Sequence, residues 1–274
     1  MEKGTIKTSE REDLLRAEHL KKVFVSKKRG NFTAVNNISF SISRGQAFSI
    51  VGESGSGKTT LVRMLTRLAD PTEGRIFLDG CDITDLSGRD LKPVHRKMQM
   101  VFQDPQGSFD PRQTLGAGIE EVIRNFGFPE GYEGDRSRKA LKVYARERCI
   151  GLLQRLGLSG DFRDRYPHEV SGGQCQRAAI ARALAAEPEL LILDEATSAL
   201  DVTVQKDVMD LVTELQKETG IAILMITHDI ALASRYSDRL LVMYHGKIVE
   251  EGQTEDVIRS PKDAYTRQLM DSVF

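Results

Sequence analysis

The run Gly52-Glu53-Ser54-Gly55-Ser56-Gly57-Lys58-Thr59-Thr60 constrains this chain more than any other stretch. It fits the phosphate-loop pattern G-x-x-x-x-G-K-[ST], and its flanks supply the context that pattern needs. Before it, Ala47-Phe48-Ser49-Ile50-Val51 is short and apolar; after it, Leu61, Leu65 and Leu68 fall at helical spacing, so strand, glycine loop and helix follow in order. Glycines at 52, 55 and 57 let the backbone curve until successive N–H groups face phosphate oxygens, and the helix start adds its positive end. In this pattern Lys58 reaches the β- and γ-phosphates and the Thr59 hydroxyl ligates Mg²⁺. The run implies a site for a nucleoside triphosphate, ATP or GTP.

Composition narrows the class. The 274 residues suffice for one large domain or two small ones, and 40% hydrophobic content supports a sizeable core. Thirty-nine basic against forty acidic residues leave a net charge of -1, so no overall field draws the chain to nucleic acid or anionic lipid. Cys81, Cys149 and Cys175 are far apart and odd in number, which suits reduced thiols better than a disulfide framework or a metal site. No run approaches the eighteen or so apolar residues of a membrane span, and the first eighteen residues are polar and charged, unlike a signal sequence.

Along the chain, the polar residues 1–13 read as a mobile tail. Leu14 to Val25 reads as a strand, the basic loop Ser26-Lys27-Lys28-Arg29-Gly30-Asn31 follows, and Ile38, Phe40 and Ile42 alternate in a second strand, together predicting an antiparallel β layer. Short strands are expected at Arg75 to Leu78 and Met98 to Phe102. Residues 104–170 change to helices and loops, with Leu141, Ala145, Cys149, Leu152 and Leu156 on one helix face closed by Gly157. We expect an inserted helical subdomain there. Apolar strands at Leu190 to Leu193 and Ile221 to Ile226 flank a helix bearing Val204, Val208, Leu211 and Leu215, the pattern of a parallel sheet covered on both faces. Leu240 to Met243 and Lys247 to Glu250 form a hairpin about His245-Gly246, and residues 254–274 read as two short helices broken by Pro261. The expected fold is therefore α/β: a mostly parallel core sheet, an N-terminal antiparallel layer and a helical insertion within residues 14–253.

Two further motifs carry chemistry. Asp194, delivered by the apolar strand Leu190 to Leu193, is placed to hold Mg²⁺, and Glu195 beside it to polarise a water attacking the γ-phosphate. Taken alone, the two acids could equally cap the next helix. Ser171-Gly172-Gly173-Gln174 opens a helix through Ala178 to Ala181, with Ser171 as its cap and the glycines exposing N–H groups to an anion.

With Ser171 to Gln174 lying shortly before Asp194, the chain resembles the nucleotide-binding subunits of ATP-binding cassette transporters from Leu14 to Phe274. The resemblance implies further roles. Gln103 matches the glutamine that touches Mg²⁺ and the attacking water and senses the membrane partner. Ser198-Ala199-Leu200-Asp201 matches a loop that crosses a dimer interface, and His228 the switch histidine at the γ-phosphate. A lone histidine there is more often a helix cap or core residue. Phe24 is placed to stack on adenine, with a core role as the alternative and Phe32 and Val25 as competitors. The implied assembly holds each ATP between the phosphate loop of one cassette and the Ser171–Gln174 segment of another, a sister or an identical chain. Two transmembrane permease subunits and, indirectly, an extracytoplasmic substrate-binding protein complete it, at the cytoplasmic face of the membrane.

Finer matches point to oligopeptide, dipeptide and nickel importers. Gln103-Asp104-Pro105 with Phe109-Asp110-Pro111-Arg112, Arg165 to Glu169, Cys175, Leu200 to Gln205, and Tyr265-Thr266-Arg267-Gln268-Leu269 resemble that group. Asp263 and Ala264 depart from its H-P-Y-T-R tail, Thr59-Thr60 replaces the usual Ser-Thr and Ala196 stands where proline is common, so the cargo stays open, with phosphonate-type cassettes as a further possibility. A soluble cassette acting on DNA or the ribosome would carry a coiled-coil insertion, a second cassette or a basic surface. A non-hydrolysing module would lose Glu195 or His228.

Overall fold

A computed structural model describes residues 13–26, 30–129 and 131–271. The chain begins with β1 (Asp13–Ser26), β2 (Gly30–Ser43), β3 (Ala47–Val51), α1 (Lys58–Leu65), β4 (Glu73–Leu78), β5 (Cys81–Asp82), α2 (Leu91–Lys97) and β6 (Met98–Val101). It continues through α3 (Leu115–Phe126), α4 (Arg138–Arg155), α5 (Gly172–Leu184), β7 (Leu190–Asp194), α6 (Val202–Thr219), β8 (Ala222–Thr227) and α7 (Ile230–Tyr236). β9 (Arg239–Tyr244), β10 (Lys247–Gln253), α8 (Thr254–Arg259) and α9 (Ala264–Asp271) complete it.

The six-stranded sheet has the order β10-β9-β3-β8-β7-β6, parallel except for β10, and the four-stranded antiparallel sheet the order β2-β1-β4-β5. Every residue of β3, β7 and β8 is buried, which is why these strands read as continuous apolar runs. Alternation still sorts their side chains. Phe48, Ile50, Ile192 and Leu224 face the antiparallel sheet with Leu15, Ile38 and Ile42, whereas Leu191, Leu193, Ile223 and Met225 face α3 to α6. The core sheet thus carries one hydrophobic layer on each face. Between β6 and α5 the chain is helical, and the inward residues Ile119 of α3 and Ala145, Cys149 and Leu152 of α4 belong to the second layer.

Register places the site. Val51 pairs with Thr227, Asp194 with Ile226 and Val101 with Leu193, so β3, β6, β7 and β8 all end at one sheet edge. Whatever follows those strands converges there, as expected of parallel α/β sheets.

Several details differ from the sequence reading. α1 stops at Leu65 and Leu68 is exposed, because the chain turns at Thr66 and Arg67 adopts a positive φ of 57°. Phe102 is exposed and lies beyond β6, which ends at Val101. On α6, Met209 and Val212 join Val208 and Leu215 in the core while Val204 and Leu211 pack at its margin, giving a broader stripe than the sequence spacing indicated. The expected tail 1–13 lies outside the described residues except for Asp13, which begins β1, and Lys27, Lys28 and Arg29 of the basic loop lie outside them too.

Phe48 is fully buried at the centre of the first layer, stacked on Phe40 with ring centroids 5.5 Å apart. Phe48→Ala is expected to lower unfolding free energy by about 3–5 kcal/mol through lost burial and the cavity left behind. Urea denaturation with an unchanged slope checks this.

Candidate functional site

The loop between β3 and α1 is shaped by what surrounds it. A Cβ at Gly52 would lie 2.2 Å from the Met243 carbonyl oxygen and one at Gly57 2.3 Å from that of Ala34, and both glycines have φ values that L side chains rarely adopt, 154° and 104°. The loop therefore presses against β9 and β2 with no room for a side chain at either point. Lys58 folds back inside it, 4% exposed, its Nζ donating to the carbonyls of Gly52 at 2.5 Å and Glu53 at 2.9 Å. Burial lowers the lysine pKa, and the charges of Glu195, Asp194 and Glu53 oppose that shift.

The start of α1, like those of α2 and α8, carries no side-chain cap, unlike five other helix starts. Thr114, Ser137, Ser171, Asp201 and Asp229 cap α3, α4, α5, α6 and α7 with side-chain oxygens, whereas Gly57 offers α1 none. The first helical bond of α1 is Leu61 N–H to Gly57 C=O at 2.9 Å, so the N–H groups of Lys58, Thr59 and Thr60 precede the ladder and face outward. An uncapped helix start with a buried cation behind it is suited to hold an oxyanion.

These groups line one cleft of ≈ 250 Å³, bounded by Ser54, Gly55, Gly57, Lys58, Thr59, Thr60 and Glu195, with Phe32 and Ala34 on its far wall. Glu195 takes a left-handed φ of 47°, and its N–H donates to Ile226 C=O at 2.9 Å. Its carboxylate Oε2 accepts from Gln103 Nε2 at 3.1 Å and lies 3.9 Å from His228 Nδ1. The edge of the sheet has thus brought Glu195, Gln103 and His228 together from three strand ends. Neither acid caps the following helix, since Asp201 accepts the Val204 N–H and fills that position. His228 is neither a cap nor a core residue: its side chain is 58% exposed and Asp229 caps α7.

Asp194 is 6% exposed and its Oδ1 has no hydrogen-bond partner; the Ser56 hydroxyl oxygen, equally buried, has none either. Burial, reinforced by the neighbouring Glu195 charge, pushes the Asp194 carboxyl up to about 6 against the pull of Arg63 and Lys58. A buried carboxylate oxygen left unpaired beside an anion-binding loop is an incomplete arrangement that a cation would complete. The nearby donors, Thr59 hydroxyl, Asp194 carboxylate and Gln103 amide, are all hard oxygen ligands of the kind Mg²⁺ takes. Among the described residues no group of three or more His, Cys, Asp or Glu is placed to hold a metal ion.

The other predicted site residues lie elsewhere. Ser171 and Gln174 form a reciprocal cap at the start of α5, Gln174 N–H to Ser171 Oγ at 3.3 Å and Ser171 N–H to Gln174 Oε1 at 2.9 Å. Ser171 and Gly172 are exposed, while Gly173 is buried against Val204. Neither this segment nor Asp201 lines the phosphate-loop cleft. Phe24 is 47% exposed, which removes the core alternative, and it pairs across the hairpin with Phe32, the aromatic that does line the cleft. The sequence reading also missed Ala34 and Met243, whose backbone carbonyls shape the loop, because a backbone contact leaves no side-chain signal.

A strand, glycine loop and uncapped helix on a parallel sheet, with a buried carboxylate at the same edge across one intervening strand, define a phosphate-loop nucleotide-binding protein. Residues 35–198 match the family of ABC transporters, and the chain belongs to that family. It is 47% identical over 240 residues, 88% of its length, to the glutathione import ATP-binding protein GsiA of Salmonella paratyphi A, but spans only 37% of that longer protein. A Brucella ovis relative named for peptide import is 41% identical over 87% of this chain and 72% of its own length. Among solved structures, a dimeric post-hydrolysis ATP-binding cassette bound to ADP and Pi shares 30% identity at a TM-score of 0.74, covering 88% of this chain and 98% of that one. The Clostridium perfringens protein cbiO1, part of an ABC transporter complex, matches at 30% identity and a TM-score of 0.75 over 96% and 100% of the two chains.

The raised Asp194 pKa has a consequence for the ligand-free protein. The folded state holds this proton up to about pH 6 while an unfolded aspartate releases it near 3.9, so the stabilising contribution is present below about pH 4 and lost as pH rises through about 6. Asp194→Asn is expected to gain about 2 kcal/mol relative to wild type between pH 4 and pH 7. Parallel urea titrations without nucleotide or divalent cation measure that difference.

Proposed function

We propose that the chain is the ATP-hydrolysing subunit of an importer of peptides or small peptide derivatives, acting as one of a pair of cassettes beneath a separate membrane permease. The observation that carries the reading is the uncapped start of α1 behind its glycine loop, faced across the same cleft by the carboxylate of Glu195. An oxyanion site and a base in one cleft suit hydrolysis of a phosphoanhydride.

In this reading Gly52 to Thr60 cradle the phosphates through backbone N–H groups, and Lys58 leaves the carbonyls of its loop to meet the β- and γ-oxygens. Thr59, Asp194 and Gln103 would hold Mg²⁺, which supplies charge neutralisation between the phosphates when bound. The Gln103 amide, already donating to Glu195 Oε2, orients that carboxylate. Glu195 draws a proton from a water as its oxygen bonds to the γ-phosphorus, the bond to the β–γ bridging oxygen breaks, and ADP and inorganic phosphate leave. His228, largely exposed near Glu195, contacts the γ-phosphate and reports its presence. Phe24 stacks on the adenine, with its cross-strand partner Phe32 on the cleft wall.

A second cassette presents its Ser171-Gly172-Gly173-Gln174 segment and the region of Asp201 to the bound nucleotide, so ATP closes the pair and hydrolysis releases it. The exposure of Ser171 and Gly172 supports this. Among the described residues no helix is long and apolar enough to cross a membrane, and the crossing is assigned to two permease subunits, fed by an extracytoplasmic substrate-binding protein. The cassette would then sit at the cytoplasmic face of the membrane, with residues 14–253 as the ATPase domain and 254–274 as its tail. Peptide cargo is favoured by relatives named for glutathione and peptide import, glutathione being itself a short peptide derivative, and nickel is the alternative.

Phosphate release by the purified chain with Mg²⁺ and ATP tests the central claim. Glu195→Gln is expected to cut turnover at least about 100-fold while ATP binding stays within about threefold of wild type. Near-normal turnover in that variant would remove Glu195 from the mechanism.

A further inference from the structure

The tail segment Asp263-Ala264-Tyr265-Thr266-Arg267 has no part in the chemistry above, yet the fold builds it with care. Glu250, buried at the middle of β10, accepts the N–H groups of Lys262 at 2.9 Å and Asp263 at 3.1 Å. Asp263 Oδ1 accepts the Tyr265 N–H at 2.8 Å, and the Arg267 guanidinium donates back to the carbonyls of Pro261 at 3.0 Å and Lys262 at 2.8 Å. These bonds fix the start of α9 against the core sheet and turn Tyr265 inward. Its ring lies 4.1 Å from that of Tyr244 at the end of β9, and its hydroxyl accepts the backbone N–H of Glu53 at 2.9 Å. Glu53 is the second residue of the glycine loop.

The two peptide units around Glu53 are therefore pinned from opposite sides. Tyr265 takes the N–H from outside the loop, and Lys58 takes the C=O from inside at 2.9 Å. A second outer tie comes from the β9–β10 turn, where Gly246 N–H donates to Ser56 C=O at 2.9 Å and Gly246 C=O accepts Asn36 N–H at 2.8 Å. When phosphates draw Lys58 away, the inner pin on Glu53 is lost and the Tyr265 bond remains.

We propose that Tyr265 is a positioning residue for nucleotide binding: its hydroxyl braces the first arm of the phosphate loop, so that α9 sets the affinity of a site it does not line. The proposal rests on the reading of the Gly52–Thr60 loop as an ATP site. A loop held open before the ligand arrives loses less conformational freedom on binding, and that saving appears in affinity rather than in the chemical step.

Tyr265→Phe keeps the ring that packs on Tyr244 and removes only the acceptor. In the full-length protein the variant is expected to raise the Kd and KM for MgATP about three- to tenfold, the worth of one hydrogen bond, with kcat within about twofold. Amide exchange in the ligand-free variant is expected to accelerate over residues 52–58 and to stay at the wild-type rate in β7 and β8. Unchanged Kd and KM overturn the proposal, and so does accelerated exchange throughout β7 and β8, which would make Tyr265 a packing element only. Lys58→Ala serves as the control on the site itself. If wild type binds no MgATP, or Lys58→Ala binds it as tightly as wild type, the ATP reading fails and the brace with it; if Lys58→Ala loses binding and Tyr265→Phe does not, the brace alone fails.

Discussion

The ammonium of Lys58 sits on two carbonyl oxygens of its own loop, almost out of contact with solvent, and most of the architecture can be traced to making that position tolerable. Burying a cation is unfavourable unless donors and charges around it are satisfied. The loop carbonyls supply acceptors, and Asp194 and Glu195, arriving from β7, supply compensating charge. Those carboxylates reach the lysine only because β3 and β7 are parallel, flank β8 and end at the same edge. Parallel strands in turn need crossover helices, and these cover one face of the sheet while the antiparallel sheet and α1 cover the other.

That arrangement is held short of completion. The carboxyl of Asp194 is buried with an oxygen unpaired and a raised pKa, α1 begins without a cap, and Lys58 is occupied by groups of its own loop. Each is a modest local cost that a bound triphosphate and its cation would relieve together. A site built this way has its binding energy stored as unmet hydrogen bonding and charge, so ligand binding can bias the surrounding elements without large rearrangement of the core. The elements nearest the cleft are also the ones tied outward: Gln103 leads into the helical insertion, and the Ser108 carbonyl and hydroxyl there accept from Arg182 of α5, whose guanidinium lies 4.2 Å from the Phe109 ring centroid. These contacts tie the loop after β6 to the helix that Ser171 caps.

Much of this was legible in the sequence because the signals are local. The glycine loop, the apolar runs of β7 and β8, the capping residue Ser171, and the alternation of Ile38, Phe40 and Ile42 all report periodicity or backbone needs within a few residues. Glu195, Gln103 and His228 could be paired only through the family resemblance, since nothing in their spacing shows that three strand ends share one edge. Leu68 misled because helical spacing continues past Leu65 while Arg67 turns the backbone out of the helix. The loop contact of Tyr265, a residue noted only as part of a tail motif, and the carbonyls of Ala34 and Met243 were invisible for a different reason. Their contribution is a single backbone contact across a long stretch of chain, and such contacts leave no pattern in composition or periodicity.

The two helix starts that the proposed assembly brings to one nucleotide are prepared differently, and the difference has a chemical logic. α1 has no side-chain cap, as befits the end that would hold the ligand in a single chain. α5 is capped by Ser171, whose oxygen accepts the Gln174 N–H in a long bond of 3.3 Å. A hydroxyl accepts through a lone pair and donates through its proton, so the cap occupies only one of its functions. Among the described residues no acceptor takes that proton, and Gly172 beside it adds no side chain to block the approach of an anion. In the proposed pair the same serine could keep α5 capped and still donate to a phosphate oxygen presented by a neighbour, and closure would then need no unfolding of the helix start.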